Sequence, residues 1–489
     1  MIKLVLDEVV EALAGQVRSP LPTLSVAGVS TDSRTVAAGE VFFAIVGPRF
    51  DGHRFVGHAF QRGAAAAVVQ ASQAAAVAQA VASEHRSPPG GPVLIEVDDT
   101  VAALGRLAVY HRRQLPADVI VVVGSNGKTT TKAMIDHLLS VRLQGHCSPK
   151  SYNNAIGVPL TLLSAETADD YLVVEIGTNA PGEVAALASL VEPDMAVITC
   201  LGEEHLEGLG DLAGVVEEEC SILGVLRAGG FAAVNIDTPQ VRDYLPSTDA
   251  LSVKGLQRGD LNFATFGRDH DADVRVTAAE YEPPWLRFTL NDRFQCRLRT
   301  PGTYNAVNAA GAITIARRAG FEQQEIAARL QSFTPPPMRA ELLEFGGVTV
   351  LNDAYNANPH SALAAIDMLE SLPCGGRRIV VFGEMRELGG KSARLHRKVA
   401  ERLAVGQVDH VLLVGPAADL MGGALDREGR LFGPTTQRCE SVEAGLEALL
   451  GLLQEGDVVL LKASRAVELD RIVQPLRTAL GGPAATPAV

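Results

Sequence analysis

At 489 residues the chain has room for about three domains of roughly 150 residues each. Hydrophobic residues make up 47%, charged residues 20% and aromatics 5%, a globular composition that excludes a disordered, collagen-like or coiled-coil chain. Lys+Arg 43 against Asp+Glu 57 gives a formal charge of −14, which argues against diffuse nucleic-acid binding; only a local basic patch would favour it.

The chain opens on MIKLVLDEVVEALAG, which carries acids and no long apolar run, unlike a secretory signal. No window holds about 18 uninterrupted apolar residues, so membrane insertion is not expected. The first region mixes short strands, turns and an alanine-rich stretch over 63–82. Alanine is the best helix former, so that stretch reads as a packing helix. The loop Ser87-Pro88-Pro89-Gly90-Gly91-Pro92 precedes an apolar strand over 93–97, and a helical stretch runs to about Gln114. Leu115-Pro116-Ala117-Asp118 then marks a first boundary near residue 115.

Beyond it, apolar runs over 119–123, 171–176, 195–199 and 231–235 alternate with longer helical segments. That is the pattern of a parallel sheet covered by helices. Thr334-Pro335-Pro336-Pro337 cannot continue a helix and sets a second boundary. Runs over 349–352, 378–382, 410–414 and 458–461 repeat the α/β style. The tail from Gly481 has few apolar anchors and is expected to fray. The six cysteines are scattered with no C-x-x-C pair, which fits a reducing, cytoplasmic setting. The expected fold is α/β in three domains: a small α/β domain over 1–115, a central parallel-sheet domain over 116–333 and a Rossmann-like α/β domain over 334–489.

The strand over 119–123 runs into Gly124-Ser125-Asn126-Gly127-Lys128-Thr129-Thr130, and a helix follows. Loop N–H groups and a helix N-terminus make an anion cradle, Lys128 can reach β- and γ-phosphates, and Thr129 can hold Mg²⁺. Val122 stands where the longer phosphate-loop motif has glycine, so this is the shorter form G-x-x-G-K-T-T. Glu175 and His205 fall beyond strand ends, where doubly wound sheets collect ligands. A carboxylate and a histidine beside a phosphate loop suit a divalent cation that keeps few protein ligands.

GSNGKTTTK, SYNNAIGVPLTLL, VVEIGTNAPGEV, ITCLGEEHLEGLG, PMRAE, NDAYNANP and GEMRELG occur in this order over most of the chain. With STDSR and DGH near the start, the sequence resembles the Mur ligases of peptidoglycan synthesis. NDAYNANP resembles the branch that adds a D-alanyl-D-alanine dipeptide. The resemblance implies a monomeric ATP-dependent amide ligase with Mg²⁺, acting on UDP-N-acetylmuramoyl-tripeptide and D-alanyl-D-alanine, with a UDP-binding first domain. It carries ATP binding to Gly124 through Thr130 and to Asn305, Asn308, Arg339 and Asp353. It makes Thr129, Glu175 and His205 metal ligands. It assigns Ser33, Arg34, Asp51, Gly52 and His53 to the UDP end, and Asn153 and Asn154 to the muramoyl-peptide. Tyr355, Asn356 and Asn358 would shape the dipeptide end. Several of these residues also admit plainer readings. Arg34 and Asp32 could pair with each other, Asp51-Gly52-His53 reads as a turn, Arg339 as a surface ion-pair residue, and Asn356 and Asn358 as turn residues around Pro359.

Fourteen residues beyond His205, where these ligases usually carry a carbamylated lysine, the chain has Glu217-Glu218-Glu219. Either Glu219 supplies the metal-binding carboxylate directly, or the three acids are a solvated helix face. Smaller departures are Tyr304, Asn352 and Ala463, where the family often has histidine, aspartate and glycine.

Overall fold

The computed structural model describes residues 4–17, 21–47, 50–83, 92–245, 262–428 and 433–481. The loop expected at 87–92 and the tail beyond Gly481 lie almost wholly outside these residues.

The central sheet has nine strands. From one edge they run Phe294–Leu298, Trp285–Leu290, Val274–Glu282, Asn262–Gly267, Phe231–Asn235, Met195–Ile198, Asp118–Val123, Tyr171–Glu175 and Gly145–Cys147. Pairing is parallel from Gly145–Cys147 to Val274–Glu282, and antiparallel across the last two strands. Side chains on a strand alternate between faces. Val119, Val121 and Val123 therefore join one apolar layer, while Ile120 and Val122 join the layer behind. All five are fully buried. At about 1.5–3 kcal/mol per buried side chain, this strand anchors the sheet. It is also the first strand of the sheet in the chain, flanked by the third and fourth. The strand order reverses around it, which leaves a crevice beyond its carboxyl end.

The first region has a five-stranded sheet in the order Gln16–Val17, Leu94–Val97, Ala66–Gln70, Glu40–Phe43 and Gly28–Ser30. The helix expected over 63–82 is instead the strand Ala66–Gln70 followed by the helix Ala74–Ser83. Ala66, Ala67, Val68 and Val69 are buried between two parallel neighbours, so sheet pairing overrides alanine's helix preference. The third sheet runs Glu341–Phe345, Val348–Asn352, Val458–Lys462, Arg378–Phe382, His410–Val414 and Thr435–Cys439, parallel except for its first strand.

The helix Thr100–Arg112 ties the first two sheets together. Its Ala103, Leu104 and Leu107 share one apolar cluster with Leu6 and Leu13 on one side and with Val119 and Val121 on the other. At its end the fully buried Arg112 guanidinium donates to the Val191 carbonyl at 2.8 Å, the Glu192 carbonyl at 3.0 Å and Asp194 Oδ2 at 2.7 Å. Among the described residues no helix is long and apolar enough to cross a membrane.

Candidate active site

The crevice opens into a cavity of about 800 Å³ between the central and last sheets. Its floor is the loop after Asp118–Val123. Gly124 has φ +123°, and a Cβ there would lie 2.2 Å from Thr199 Oγ1. Gly127 has φ +91°, and a Cβ there would lie 2.3 Å from Asn308 Oδ1. Both positions demand glycine.

The loop's amides face two ways. Gly124 N–H donates to Glu219 Oε2 at 2.8 Å, and the Ser125 and Asn126 N–H groups both donate to the Cys200 carbonyl at 3.0 Å. The Ser125 hydroxyl locks onto Gly202, donating to its carbonyl and accepting its amide. These groups hold the loop's shape. The helix Lys128–Leu139 begins after Gly127, and the first N–H groups of a helix have no partner within it. The amides placed to receive an anion are therefore those of this helix end, at Lys128, Thr129 and Thr130.

Lys128 Nζ donates to the Gly124 carbonyl and lies 3.6 Å from Glu204 Oε1. Burial alone would lower its pKa, but the Glu204, Glu219 and Glu175 carboxylates outweigh that and raise it. The lysine stays charged. Glu175, 1% exposed, accepts from Asn153 Nδ2 at 3.1 Å and pairs with Lys132 Nζ at 3.1 Å. Glu219, also 1% exposed, is pushed up to about 7 by burial, against the pull of Lys128. The solvated-face reading of the three acids thus holds for Glu217 alone. Glu218 is buried too, accepting the Gly182 and Val184 amides at 2.6 and 2.7 Å.

The last region supplies the cavity roof. Arg339 Nη2 donates to Thr129 Oγ1 at 3.0 Å, and its guanidinium lies over the Tyr355 ring at 4.0 Å. Arg339 is thus not a surface ion-pair residue. Asp353 also lines the cavity, but both its oxygens bind protein: Oδ1 accepts the Ala340 amide at 3.0 Å and Oδ2 faces Lys462 Nζ at 2.6 Å. It fixes a turn in which Met338 and Ala340 have φ of 59° and 53°, and so aims Arg339. Asn358 caps the helix Pro359–Ser371 and donates to Asn126 Oδ1 at 2.9 Å and Glu204 Oε2 at 3.1 Å. Tyr355 and Asn356 line the same wall.

Asn305 and Asn308, both buried, bond to each other at 3.0 Å and seat their helix beneath Gly127. Asn154 Oδ1 accepts the Ile156 and Gly157 amides, opening the helix Gly157–Ser164. The first-region candidates lie apart from this cavity. Arg34 makes a two-pronged pair with Asp32, its side chain 82% exposed. Ser33 Oγ lies 3.3 Å from His58 Nδ1. Gly52 starts a short 3₁₀ turn capped by Asp51, and His53 is fixed between Asp51 Oδ1 at 2.7 Å and the Gln70 amide at 2.9 Å.

Oxygen donors suit a hard cation. Glu175 Oε2 and Glu204 Oε1 are buried and accept no hydrogen bond, each facing only a lysine ammonium, Lys132 at 3.1 Å and Lys128 at 3.6 Å, so a cation could take the place of either lysine. Glu175, His205 and Glu219 do not converge within 4.8 Å. Among the described residues the one such group is Asp269, His270 and Asp271, in the turn after Asn262–Gly267, where Asp269 and Asp271 pair with Arg242. An ion held mainly by phosphate and water would need no such convergence. His205 Nδ1 lies 2.6 Å from Glu387 Oε2 of the last region. Three site residues escaped the sequence reading: Lys132, Glu204 and Lys462. Lys132 was detectable by its i, i+4 spacing from Lys128, and Glu204 by its place beside His205. Lys462 had no local signal.

Three family descriptions match in chain order: "Mur ligase family, catalytic domain" over 25–112, "Mur ligase middle domain" over 122–316 and "Mur ligase, glutamate ligase domain" over 338–465. A UDP-N-acetylmuramoyl-tripeptide–D-alanyl-D-alanine ligase of Bacillus subtilis is 32% identical, over 97% of this chain and 99% of the relative. The crystal structure of MurF from Acinetobacter baumannii is similar at TM-score 0.82 and 26% identity, covering 98% of this chain and 99% of that one. MurF ligase from Thermotoga maritima in complex with ADP is similar at TM-score 0.76 and 26% identity, covering 93% and 98%.

Proposed function

This chain belongs to the Mur ligase family, and from that membership we propose that it joins D-alanyl-D-alanine to UDP-N-acetylmuramoyl-tripeptide at the expense of ATP. The observation that carries the reading is one cavity bounded by a phosphate loop on one side and by Arg339, Tyr355 and Asn356 on the other. Such a site brings a nucleotide and an amine donor onto one carboxylate.

The chemistry follows from the electrophile. A carboxylate resists attack by an amine. Transfer of the γ-phosphoryl group from ATP to the tripeptide's terminal carboxylate gives an acyl phosphate and ADP. The amine of the dipeptide then attacks the acyl carbon, and the tetrahedral adduct expels phosphate as the amide forms. The protein's share is positioning and charge. The helix end at Lys128–Thr130 and the Lys128 ammonium hold the phosphates. Arg339, aimed by Asp353 and Lys462, covers them from the roof. Asn153, held by Glu175, faces the acceptor carboxylate. Tyr355 and Asn356 offer an aromatic face and neutral amide groups to the dipeptide.

Thr129, Glu175, His205 and Glu219 would hold Mg²⁺, which when bound neutralises phosphate charge. Glu219 then stands in for a carbamylated lysine without needing CO₂. The domains divide the labour: 1–115 takes the UDP-muramoyl end through Ser33, Arg34 and the 51–53 turn, 116–333 binds ATP, and 334–489 binds the dipeptide and closes over the nucleotide. The enzyme works as a cytoplasmic monomer at the last soluble step of precursor synthesis.

Phosphate release tests this, with ATP and Mg²⁺ present and the two substrates added singly and together. Release that requires both is the expected outcome. Release with a free amino acid replacing the dipeptide would assign another branch of the family, and no release under any pairing would overturn catalysis.

A further inference from the structure

Resting on that reading, we propose that Glu204 is a divalent-cation ligand of the nucleotide site, oriented for that role by Asn358 of the last region. Glu204 is 5% exposed and lines the cavity. Its Oε2 accepts from Asn358 Nδ2 at 3.1 Å. Its Oε1 is buried with no hydrogen bond and faces Lys128 Nζ at 3.6 Å.

The argument is one of charge exchange. Phosphates entering the helix end draw Lys128 toward themselves. Glu204 then loses its nearest cationic contact while still enclosed, and His205, 4.0 Å from Oε2, is already held by Glu387 at 2.6 Å. A buried carboxylate without a counter-charge is costly, so it is neutralised or gains a cation. Neither neighbouring lysine can replace Lys128: Lys132 is committed to Glu175 and the Ser148 carbonyl, and Lys462 to Asp353. A divalent cation arriving with the nucleotide fills the need, and Oε1, which accepts no hydrogen bond and faces only Lys128, is the oxygen left to meet it. Asn358 adds a condition. Its side chain also holds Asn126 of the phosphate loop at 2.9 Å and caps a last-region helix, so Glu204 is aimed into the cavity when the last region is docked. Two neighbours follow the same pattern: Glu203 pairs with Arg394 at 3.1 Å and His205 with Glu387 at 2.6 Å. Residues 203–205 thus form a strap that reads the docked last region at three successive positions.

The test is binding, not turnover. Mn²⁺ affinity is measured by electron paramagnetic resonance in the presence of β,γ-imido-ATP, and the affinity of that analogue is measured separately without metal. Wild-type protein must bind the analogue at all; failure there would sink the proposed function and not this inference. In Glu204→Gln the amide can still accept from Asn358. We expect Mn²⁺ affinity to fall at least about 10-fold, while metal-free analogue affinity holds or rises because an anion beside the phosphates is gone. Unchanged Mn²⁺ affinity overturns the proposal, whether or not analogue binding tightens. Should Glu204→Gln fail to fold, Asn358→Ala carries the test. It leaves the carboxylate but frees its orientation, and Mn²⁺ affinity equal to wild type would overturn the proposal as well.

Discussion

One oxygen of Glu219 accepts the Gly124 amide at 2.8 Å, while its negative charge acts on Lys128. Two substitutions separate these jobs. Glu219→Gln keeps an acceptor for Gly124 and removes the charge; Glu219→Ala removes both. If the charge serves the cation, both lose Mg²⁺-dependent turnover by about 10–100-fold. Near-normal turnover of the Gln variant across a Mg²⁺ titration would reduce Glu219 to a loop support. The raised pKa has a second consequence. Glu219 titrates near 4.5 when unfolded and at about 7 when folded. Between those values the native state holds the extra proton, so stability falls as pH rises from 4.5 to 7 and levels off above. The effect is at most about 3 kcal/mol. In metal-free buffer at pH 8, Glu219→Gln should therefore unfold at a higher temperature than wild type. At this scale the sequence was legible where a residue acts through its own backbone or charge, as with Gly127, Lys128 and Glu175. It was not legible where tertiary neighbours decide. Nothing local reveals that Asp353 spends both oxygens on the protein, whereas the pairing of Arg34 with Asp32, two residues apart, was open from the sequence and is what the structure shows, pulling that acid down to about 2 by hydrogen bonding.

The parallel strands with continuous apolar runs, such as Asp118–Val123 and Arg378–Phe382, were legible to within a residue or so, because burial on both faces writes that run into the chain. The parallel strands Gly145–Cys147, Asn262–Gly267 and Thr435–Cys439, shorter or partly exposed, went unread. The antiparallel strands Val274–Glu282, Trp285–Leu290 and Phe294–Leu298 went unread, since only alternate residues on them are buried and the pattern is weaker. The alanine-rich strand failed for the opposite reason: its local preference pointed to helix. Element geometry also yields two predictions. In the phosphate loop, Gly124→Ala would drive a methyl into Thr199 at a φ that disfavours side chains. We expect a folded protein with ATP binding weakened at least about 10-fold, by analogy with other losses of positioning; equilibrium dialysis with ATP measures it, and unchanged affinity would refute the geometry. In the last region, the helix Ser392–Ala404 carries the fully buried His396, whose Nε2 accepts the Met385 amide at 2.9 Å and whose Nδ1 donates to the Ser392 carbonyl at 2.9 Å. An imidazole that accepts must be neutral, and burial lowers its pKa accordingly. Below the unfolded value near 6.5 the unfolded chain binds the extra proton, so stability is lost as pH falls from 6.5 toward the depressed folded value. His396→Gln can still accept from Met385 but does not titrate. Thermal unfolding between pH 7.5 and 5.5 should show a shallower decline in the variant, and equal slopes would dismiss His396 as the cause.

For the whole molecule, the net charge of −14 repels ATP and a UDP-linked carboxylate alike. Binding must come from local cations and amides, and part of the acidic excess is itself local, in Glu175, Glu204 and Glu219 around Lys128. The same weighing of terms applies to what keeps the last region docked. Its polar bridges include Arg394–Glu203 at 3.1 Å, with the arginine side chain 64% exposed, and Lys391 Nζ donating to the Gly210 carbonyl at 2.9 Å. Exposed pairs of this kind are worth about 0–1 kcal/mol and weaken in salt. Leu206 and Leu209, by contrast, leave the central region to join the apolar cluster of Ala357, Met385 and Leu388, at 5% and 7% exposure. Each contributes about 1.5–3 kcal/mol by burial, which salt does not screen. The apolar contacts therefore win, and docking should be salt-resistant and leucine-dependent. Small-angle scattering on the free protein checks both halves. Raising ionic strength to about 0.5 M, where the screening length is only a few ångströms, should leave the radius of gyration unchanged. Leu206→Ala should increase it and weaken turnover, because Arg339 then reaches Thr129 in a smaller fraction of molecules. Expansion of the wild type in salt, with Leu206→Ala as compact as the parent, would place the latch in the ion pairs instead.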